Sequence, residues 1–528
     1  MLWNAEKIEQ ALSYLEGCQE RLLDEVVELI NSYSDAECDR EYVRIIAGSW
    51  LIHFSHHLFV AYDGQQPIEY CDNQKIASND FIPAFGDVTD YKWIDPSIHN
   101  SIQSMLNHVS SGGEIEEKWM ADSVRIYHKA GWKTTALKVV YWLLNPSEPK
   151  VMLVKPGVKG KLNLMRLLSK KGLRIAISNM KYDCNFTFHL DKKWRVDRSK
   201  EIVDINGYVD IFCKLLPLYI PAIFVEGFSE YRAWIKEKIP PRPKVVFSCN
   251  ALHNHSEFCF AVAEWRLNGT RLLYMQHGGG YGIEKCNSIE NFESMSADTY
   301  YTYGWTNYKP NIVTMSPSWL TIAENPDSDT VLLNCLDMPD ELYRIQFAPV
   351  GDLRNVLHQN TYDFLSAVGK STPIKIRPYS YDYHAGFLEG MIKVAPKAII
   401  STCKSNMKDY SSSRLVVHNY IGTSWLETLS NNIPTICLYD PVDTHRFHEN
   451  AQPLIDELER VGILHCSGDS AGQFLTEIYD NPYDWWKKPE VQSAKNKFVA
   501  QYANFSSDWI LQWENEFQKQ IELVSQKI

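Results

Sequence analysis

The segment HNYIGTSWLETLSNNIPTICLYDP at 418–441 carries the densest chemistry in the chain. A β-like run ends at His418, a short loop passes Asn419 and Gly422, and Thr423 and Ser424 stand where helical spacing begins. Loop amides, hydroxyls and the positive end of a helix form an anion site without help from a metal. Glu427, one turn further on, is placed to take hydrogen bonds from ribose hydroxyls. The same pattern also suits a plain helix start, with Thr423 or Ser424 as the cap and Glu427 answering the dipole. In KIRPYSYDYH (375–384), Arg377-Pro378 closes a second strand-like run. At the carboxyl end of a parallel strand, Arg377 would share the crevice of the Thr423-Ser424 turn. Its planar fork suits a phosphate better than a lysine does, the plainer alternative being a surface ion pair. A third motif, QHGGGYG (276–282), sets His277 at a strand end before Gly278, Gly279 and Gly280. Consecutive glycines mark a positive φ or the close approach of a ligand, or else a hinge beside a structural histidine. The spacing is not that of a GxGxxG dinucleotide fingerprint.

Other clusters say less. His53 and His57, four apart in LIHFSHHLF, would share a helix face, but no third metal ligand lies nearby and the pattern is not HExxH. Residues 150–174 hold Lys150, Lys155, Lys159, Lys161, Arg166, Lys170, Lys171 and Arg174 with no acid. That stretch is either a solvated face or a contact for anionic lipid or a charged acceptor. The 12 cysteines form no CxxC pair and read as small apolar core residues.

These motifs require a scaffold that brings them together. With 528 residues, 45% of them hydrophobic and 22% charged, the chain can bury full cores in two or three domains. A net charge of -12 excludes a globally basic nucleic-acid surface. The start lacks the basic-then-apolar order of a signal peptide, and no apolar run reaches the ~20 residues of a spanning helix, so a cytoplasmic protein is expected. Helical spacing over about 1–62 predicts packed helices, and a further helix is read at 114–144. From VMLV (151–154) onward, short apolar runs alternate with helical patterns, first to about 325 and again from VLLNCL (331–336) to GILHC (462–466). Such alternation predicts parallel, doubly wound sheets. The expected organisation is a helical extension at 1–145, a Rossmann-like domain at 146–325, a second at 326–485, and helices at 486–528 that pack across the junction.

Together with REYVRIIAGSWLIHF and ADTYYTYGW, these motifs resemble a bacterial family of transferases found in O-antigen and surface-polysaccharide gene clusters. The C-terminal half more distantly resembles GT-B glycosyltransferases that use CMP-activated sugars such as Kdo and sialic acid. Those carry a His-Pro pair and a Ser-Ser or Thr-Ser turn around the donor phosphate. Here Arg377-Pro378 stands in the first place and Thr423-Ser424 in the second, which implies phosphate neutralisation without a general acid. The resemblance implies α/β GT-B architecture, with 146–325 as the acceptor-side domain and 326–485 as the nucleotide-sugar-binding domain, and metal-independent transfer of a nonulosonic acid (pseudaminic, legionaminic or sialic-like) or Kdo to a glycan or lipid-linked acceptor. Donor contacts are expected from Arg377, Pro378, Asn419, Gly422, Thr423, Ser424, Glu427, Gly278 and Gly279. The acceptor hydroxyl needs a base, for which His277 comes first and Glu226, in the apolar setting PAIFVEGF, second. The basic 150–174 segment would meet an anionic membrane face. A CDP-polyol phosphotransferase, a non-catalytic nucleotide- or glycan-binding protein and, last, a nucleotide-sugar epimerase are the alternatives.

Overall fold

A computed structural model describes the chain except for residues 1–4, 64–81, 83–84, 88–92, 94, 130, 132–140, 142–144, 254, 308, 338–343, 347–351, 380–384, 440–446 and 527–528. The N-terminal helices are Ala5–Ser34 and Arg40–Tyr62. The second begins where the Asp39 side chain accepts from the Tyr42 amide, and every residue from Tyr42 to Leu58 is buried. A helix apolar on all sides can only sit inside a core. It lies against Ala5–Ser34, Pro96–Ser110, Ser256–Arg266 and Ser288–Ser296, so the helical extension is packed onto the helix layer of the first sheet.

The structure corrects the helix read at 114–144. A short 3₁₀ turn at Glu117–Trp119 leads into strand β1, Ser123–His128, which pairs antiparallel with β4, Cys184–His189. Val124 and Ile126 are buried between exposed neighbours, the period-two alternation of a one-sided sheet. Residues 132–140, the rest of that expected helix, lie outside the described residues.

The first parallel sheet contains β2 (Val151–Val154), β3 (Ile175–Ser178), β5 (Val245–Ser248), β6 (Arg271–Met275), β7 (Thr299–Thr302) and β8 (Ile312–Thr314), ordered β3-β2-β5-β6-β7-β8. The second contains β9 (Val331–Asn334), β10 (Ile374–Arg377), β11 (Ile399–Ile400), β12 (Leu415–His418), β13 (Thr435–Leu438) and β14 (Leu464–His465), ordered β11-β10-β9-β12-β13-β14. Most strands are buried on both faces, the state of a parallel sheet covered by helices. The second order reverses between β9 and β12, which is the Rossmann arrangement and places the crevice at the ends of those two strands. The first reverses between β2 and β5. Loops leaving the carboxyl ends meet across the molecule: the Gly279 amide donates to Thr423 Oγ1 at 3.0 Å, and Glu284 bridges Phe447. Two Rossmann-like α/β units with their strand ends turned toward each other form a GT-B architecture.

The C-terminal helices tie these units. Pro489–Tyr502 packs on Thr423–Ser430 and Gln452–Arg460 beside the second sheet. Trp509–Gln526 returns to β5 and the Lys161–Leu168 helix, its Trp513 ring 4.6 Å from that of Phe247.

Candidate active site

At the end of β6, buried Gln276 pins the chain by accepting from the Tyr303 amide (2.9 Å) and Trp305 Nε1 (2.7 Å). The next residue, His277, keeps about a third of its side chain exposed (33%) and turns Nδ1 to Glu293 Oε1 at 3.3 Å. Glu293, on the Ser288–Ser296 helix, is fully buried. It also meets His253 Nε2 (2.5 Å) and accepts from the hydroxyls of Tyr281 (3.3 Å) and Tyr300 (2.8 Å). The Tyr281 hydroxyl stands 3.1 Å from His277 Nδ1 as well. Burial alone would raise the Glu293 pKa, but hydrogen bonds and charge from His253 and His277 outweigh it and hold the group below its ordinary value. Sequence reasoning missed Glu293 and His253. A signal existed for the first: Ile289, Phe292, Glu293 and Ser296 share the buried helix face, so an acid sits at a core position.

At the switch point of the second sheet, Asn334 of β9 stands opposite His418 of β12. Asn334 Nδ2 donates to Ser424 Oγ (3.1 Å) and lies 3.3 Å from His418 Nδ1, while His418 Nε2 faces Thr428 Oγ1 at 3.1 Å. Burial drives the His418 pKa down to about 3 and keeps it neutral. Asn419 accepts from the Leu336 amide (2.7 Å) and donates to the Leu336 carbonyl (3.2 Å). Ser424 and Asn419 thus spend their polar atoms on an internal network, where the sequence reading had them facing a donor. Asn334 was not anticipated.

Arg377 does sit at the carboxyl end of β10, level with Asn334, but its fork is not free. Nη1 donates to the Cys403 carbonyl (2.7 Å) and to buried Asp409 (2.5 Å), which also accepts from Ser401 Oγ. Of the loop beyond Pro378, residues 380–384 lie outside the described residues. Glu226 needs a clearer correction. Instead of an apolar setting, it has a two-point pair with Arg195, both contacts at 2.7 Å, and it accepts from the Asp191 amide. Both side chains of that pair are buried, so Glu226 anchors the Lys192–Lys200 helix.

Gly279 explains the glycine run. A Cβ there would lie 2.5 Å from the Gly422 carbonyl carbon and 2.8 Å from the Thr423 nitrogen, so only glycine permits the contact. Gly278 is less demanding, its nearest neighbour being 3.5 Å away, and Gly280 has a φ of +91°. The Thr423–Ser430 helix starts at Gly422 with no side-chain cap. Glu427 is buried beneath it, 3.4 Å from Lys159 Nζ of the opposite unit. Burial raises the Glu427 pKa and Lys159 offsets this only in part.

A family model described as LIC12162 family transferase matches residues 1–517. The chain belongs to this family of transferases. The matched span includes both sheets, the His277–Glu293 pair and the Gly279–Thr423 contact. No curated protein matches the chain. Among solved structures, it is similar to MurG of Acinetobacter baumannii at 13% identity, covering 70% of this chain and 100% of that one, with a TM-score of 0.34. UDP-GlcNAc 2-epimerase of Neisseria meningitidis, bound to UDP-GlcNAc, gives 8%, 66%, 97% and 0.36. A UDP-glucose: anthocyanidin 3-O-glucosyltransferase in complex with UDP gives 10%, 72%, 100% and 0.34.

For this transferase, the geometry around Glu293 allows two kinds of chemistry. With Nδ1–H donated to the carboxylate, His277 presents a basic Nε2, the arrangement of a positioned general base. The ligating atoms of His253, His277 and Glu293 also lie within 4.8 Å of one another, close enough to hold a metal ion.

Proposed function

We propose that the chain transfers a sugar from a nucleotide-activated donor to a glycan or lipid-linked acceptor, with His277 as the base. The observation that carries this reading is the partly exposed His277 ring at the end of β6, its Nδ1 tied to a buried carboxylate held below its ordinary pKa. The acceptor oxygen forms a bond to the anomeric carbon and its proton passes to His277 Nε2. The bond from that carbon to the donor phosphate breaks, and the nucleotide leaves with the electron pair. Glu293 stabilises the imidazolium, and the uncapped amides at the start of the Thr423–Ser430 helix receive the phosphate charge.

The donor is a CMP-linked nonulosonic acid or Kdo in this reading, on the strength of the motif resemblance at Arg377-Pro378 and Thr423-Ser424. Thr423 is the better placed of the turn hydroxyls, because Ser424 is buried in the Asn334 network. Among the described residues no helix is long and apolar enough to cross a membrane. Contact with an anionic membrane is proposed through the Lys161–Leu168 helix, where Leu162 (65% exposed) and Met165 (48%) lie beside exposed Lys161 and Arg166.

Thermal stabilisation by CMP, CDP, UDP and GDP tests the donor class, because a ligand of the folded state raises its Tm. Selective response to CMP supports the CMP-sugar reading; selective response to UDP or GDP replaces it with an ordinary hexose donor. Phosphorus in the purified product would turn the assignment to polyol phosphate transfer. Turnover that survives chelators fits the base; turnover lost to chelators and restored by zinc would make the His253–His277–Glu293 group a metal site instead.

A further inference from the structure

Lys159 belongs to the loop Lys155–Gly160, which leaves β2 at the reversal point of the first sheet. The loop is tightly fixed. Lys155, Gly157 and Gly160 have φ of +44°, +65° and +85°. The Lys159 amide donates to the Ser318 carbonyl (3.1 Å), Ser318 Oγ donates to the Gly157 carbonyl (3.1 Å), and the Cys249 amide donates to the Lys155 carbonyl (3.2 Å). Fixed backbone of this kind aims a side chain. Lys159 Nζ, with 47% of its side chain exposed, reaches across to Glu427 Oε1 of the opposite unit.

Glu427 is the less comfortable partner. Its side chain is 3% exposed, yet among the described residues Oε1 accepts no hydrogen bond, the Lys159 ammonium at 3.4 Å being an ion contact rather than an aligned donor. A buried carboxylate oxygen without a donor is costly. Beside it the Thr423–Ser430 helix begins at Gly422 without a side-chain cap. Facing one another are therefore a cation, an acceptor without a hydroxyl or N–H donor among the described residues, and the uncapped start of a helix. A ligand that satisfies all of them carries vicinal hydroxyls next to an anion. That is the chemistry of a ribose phosphate.

We infer that Lys159 is a donor-binding residue supplied by the first sheet's unit, exchanging Glu427 for the donor's phosphate when ribose hydroxyls occupy Glu427. The inference rests on the nucleotide-donor reading above and adds to it a ligand from the unit otherwise assigned to the acceptor. After the exchange, the cation that now joins the two units directly joins them through the nucleotide.

Isothermal titration of the full chain with CMP, CDP, UDP and GDP, and with the parent nucleoside of the tightest of these, tests the inference. Lys159→Gln should weaken the nucleotide by roughly tenfold or more, the usual scale of a charge-assisted contact, and leave the nucleoside within about twofold. Lys159→Arg should retain most of the nucleotide affinity, which guards against a folding artefact. Glu427→Gln should weaken nucleotide and nucleoside together. If Lys159→Gln leaves nucleotide affinity unchanged, or tightens nucleotide and nucleoside alike, Lys159 merely masks Glu427 and the inference is overturned. If the unaltered chain binds none of the four nucleotides, the nucleotide-donor reading fails first and takes this one with it.

Discussion

Replacing Glu293 by Gln keeps the shape of the pocket beside His277 and removes the charge that fixes its tautomer. Glu293→Gln and His277→Ala should each lower kcat by roughly a hundredfold or more, with nucleotide affinity held, as steady-state kinetics beside titration would read. An equal loss of affinity would place His277 in the donor pocket instead. Arg377→Ala now carries a different expectation from the one its sequence position suggests. Its removal takes the guanidinium from buried Asp409 and leaves it the Ser401 hydroxyl and Lys375 at 3.7 Å, so a stability loss on the order of 3 kcal/mol in urea unfolding should exceed any selective effect on donor use. His418 gives a pH dependence. Its folded pKa of about 3 lies below the unfolded value near ~6.5, so the unfolded chain takes the proton first and stability falls as pH drops through that interval. His418→Gln should remove about 1.4 kcal/mol per pH unit from that slope between pH ~6 and ~4. At this scale the sequence was informative about His277, whose strand end and glycines are contiguous, and uninformative about Arg377 and Glu226. A side chain's partner is set by residues far along the chain: Asp409 for one, Arg195 for the other.

The elements read best where burial is continuous. β2, β5, β6 and β12 are four- or five-residue apolar runs between helical patterns, and each stands where the alternation puts it. β1 and β4 were missed because a half-buried edge pair leaves only a few alternating residues, too few to oppose a helical reading over 114–144. Loop contact offers a paired test. Gly279→Ala forces a methyl into Gly422 and Thr423, whereas Gly278→Ala meets nothing nearer than 3.5 Å. The first should lower turnover by roughly tenfold or more while shifting the unfolding midpoint little, since a misplacement near 1 Å is enough to disturb a reacting geometry. The second should stay close to the parent. Equal activity in both would mean that the Gly279–Thr423 contact is dispensable.

Across the whole molecule, the C-terminal helices cross from the second sheet's layer to the first, with Trp513 buried on Phe247 and its Nε1 donating to the Ser316 carbonyl at 3.3 Å. Trp513→Ala should cost about 3–5 kcal/mol, visible as a lower denaturant midpoint, because a large buried ring leaves a cavity. The sequence by itself determined the alternation of strands and helices, and so the two parallel sheets. Apolar periodicity is local and burial on both faces leaves an unbroken run. It also determined that Gly279 and Thr423 were unusual. Tertiary structure alone decided that they touch, that Glu293 lies behind His277, and that Lys159 looks across at Glu427. Hydrogen bonds and ion contacts select partners by distance in space, over separations of 144 residues for Gly279–Thr423, and no spacing rule along the chain encodes that distance.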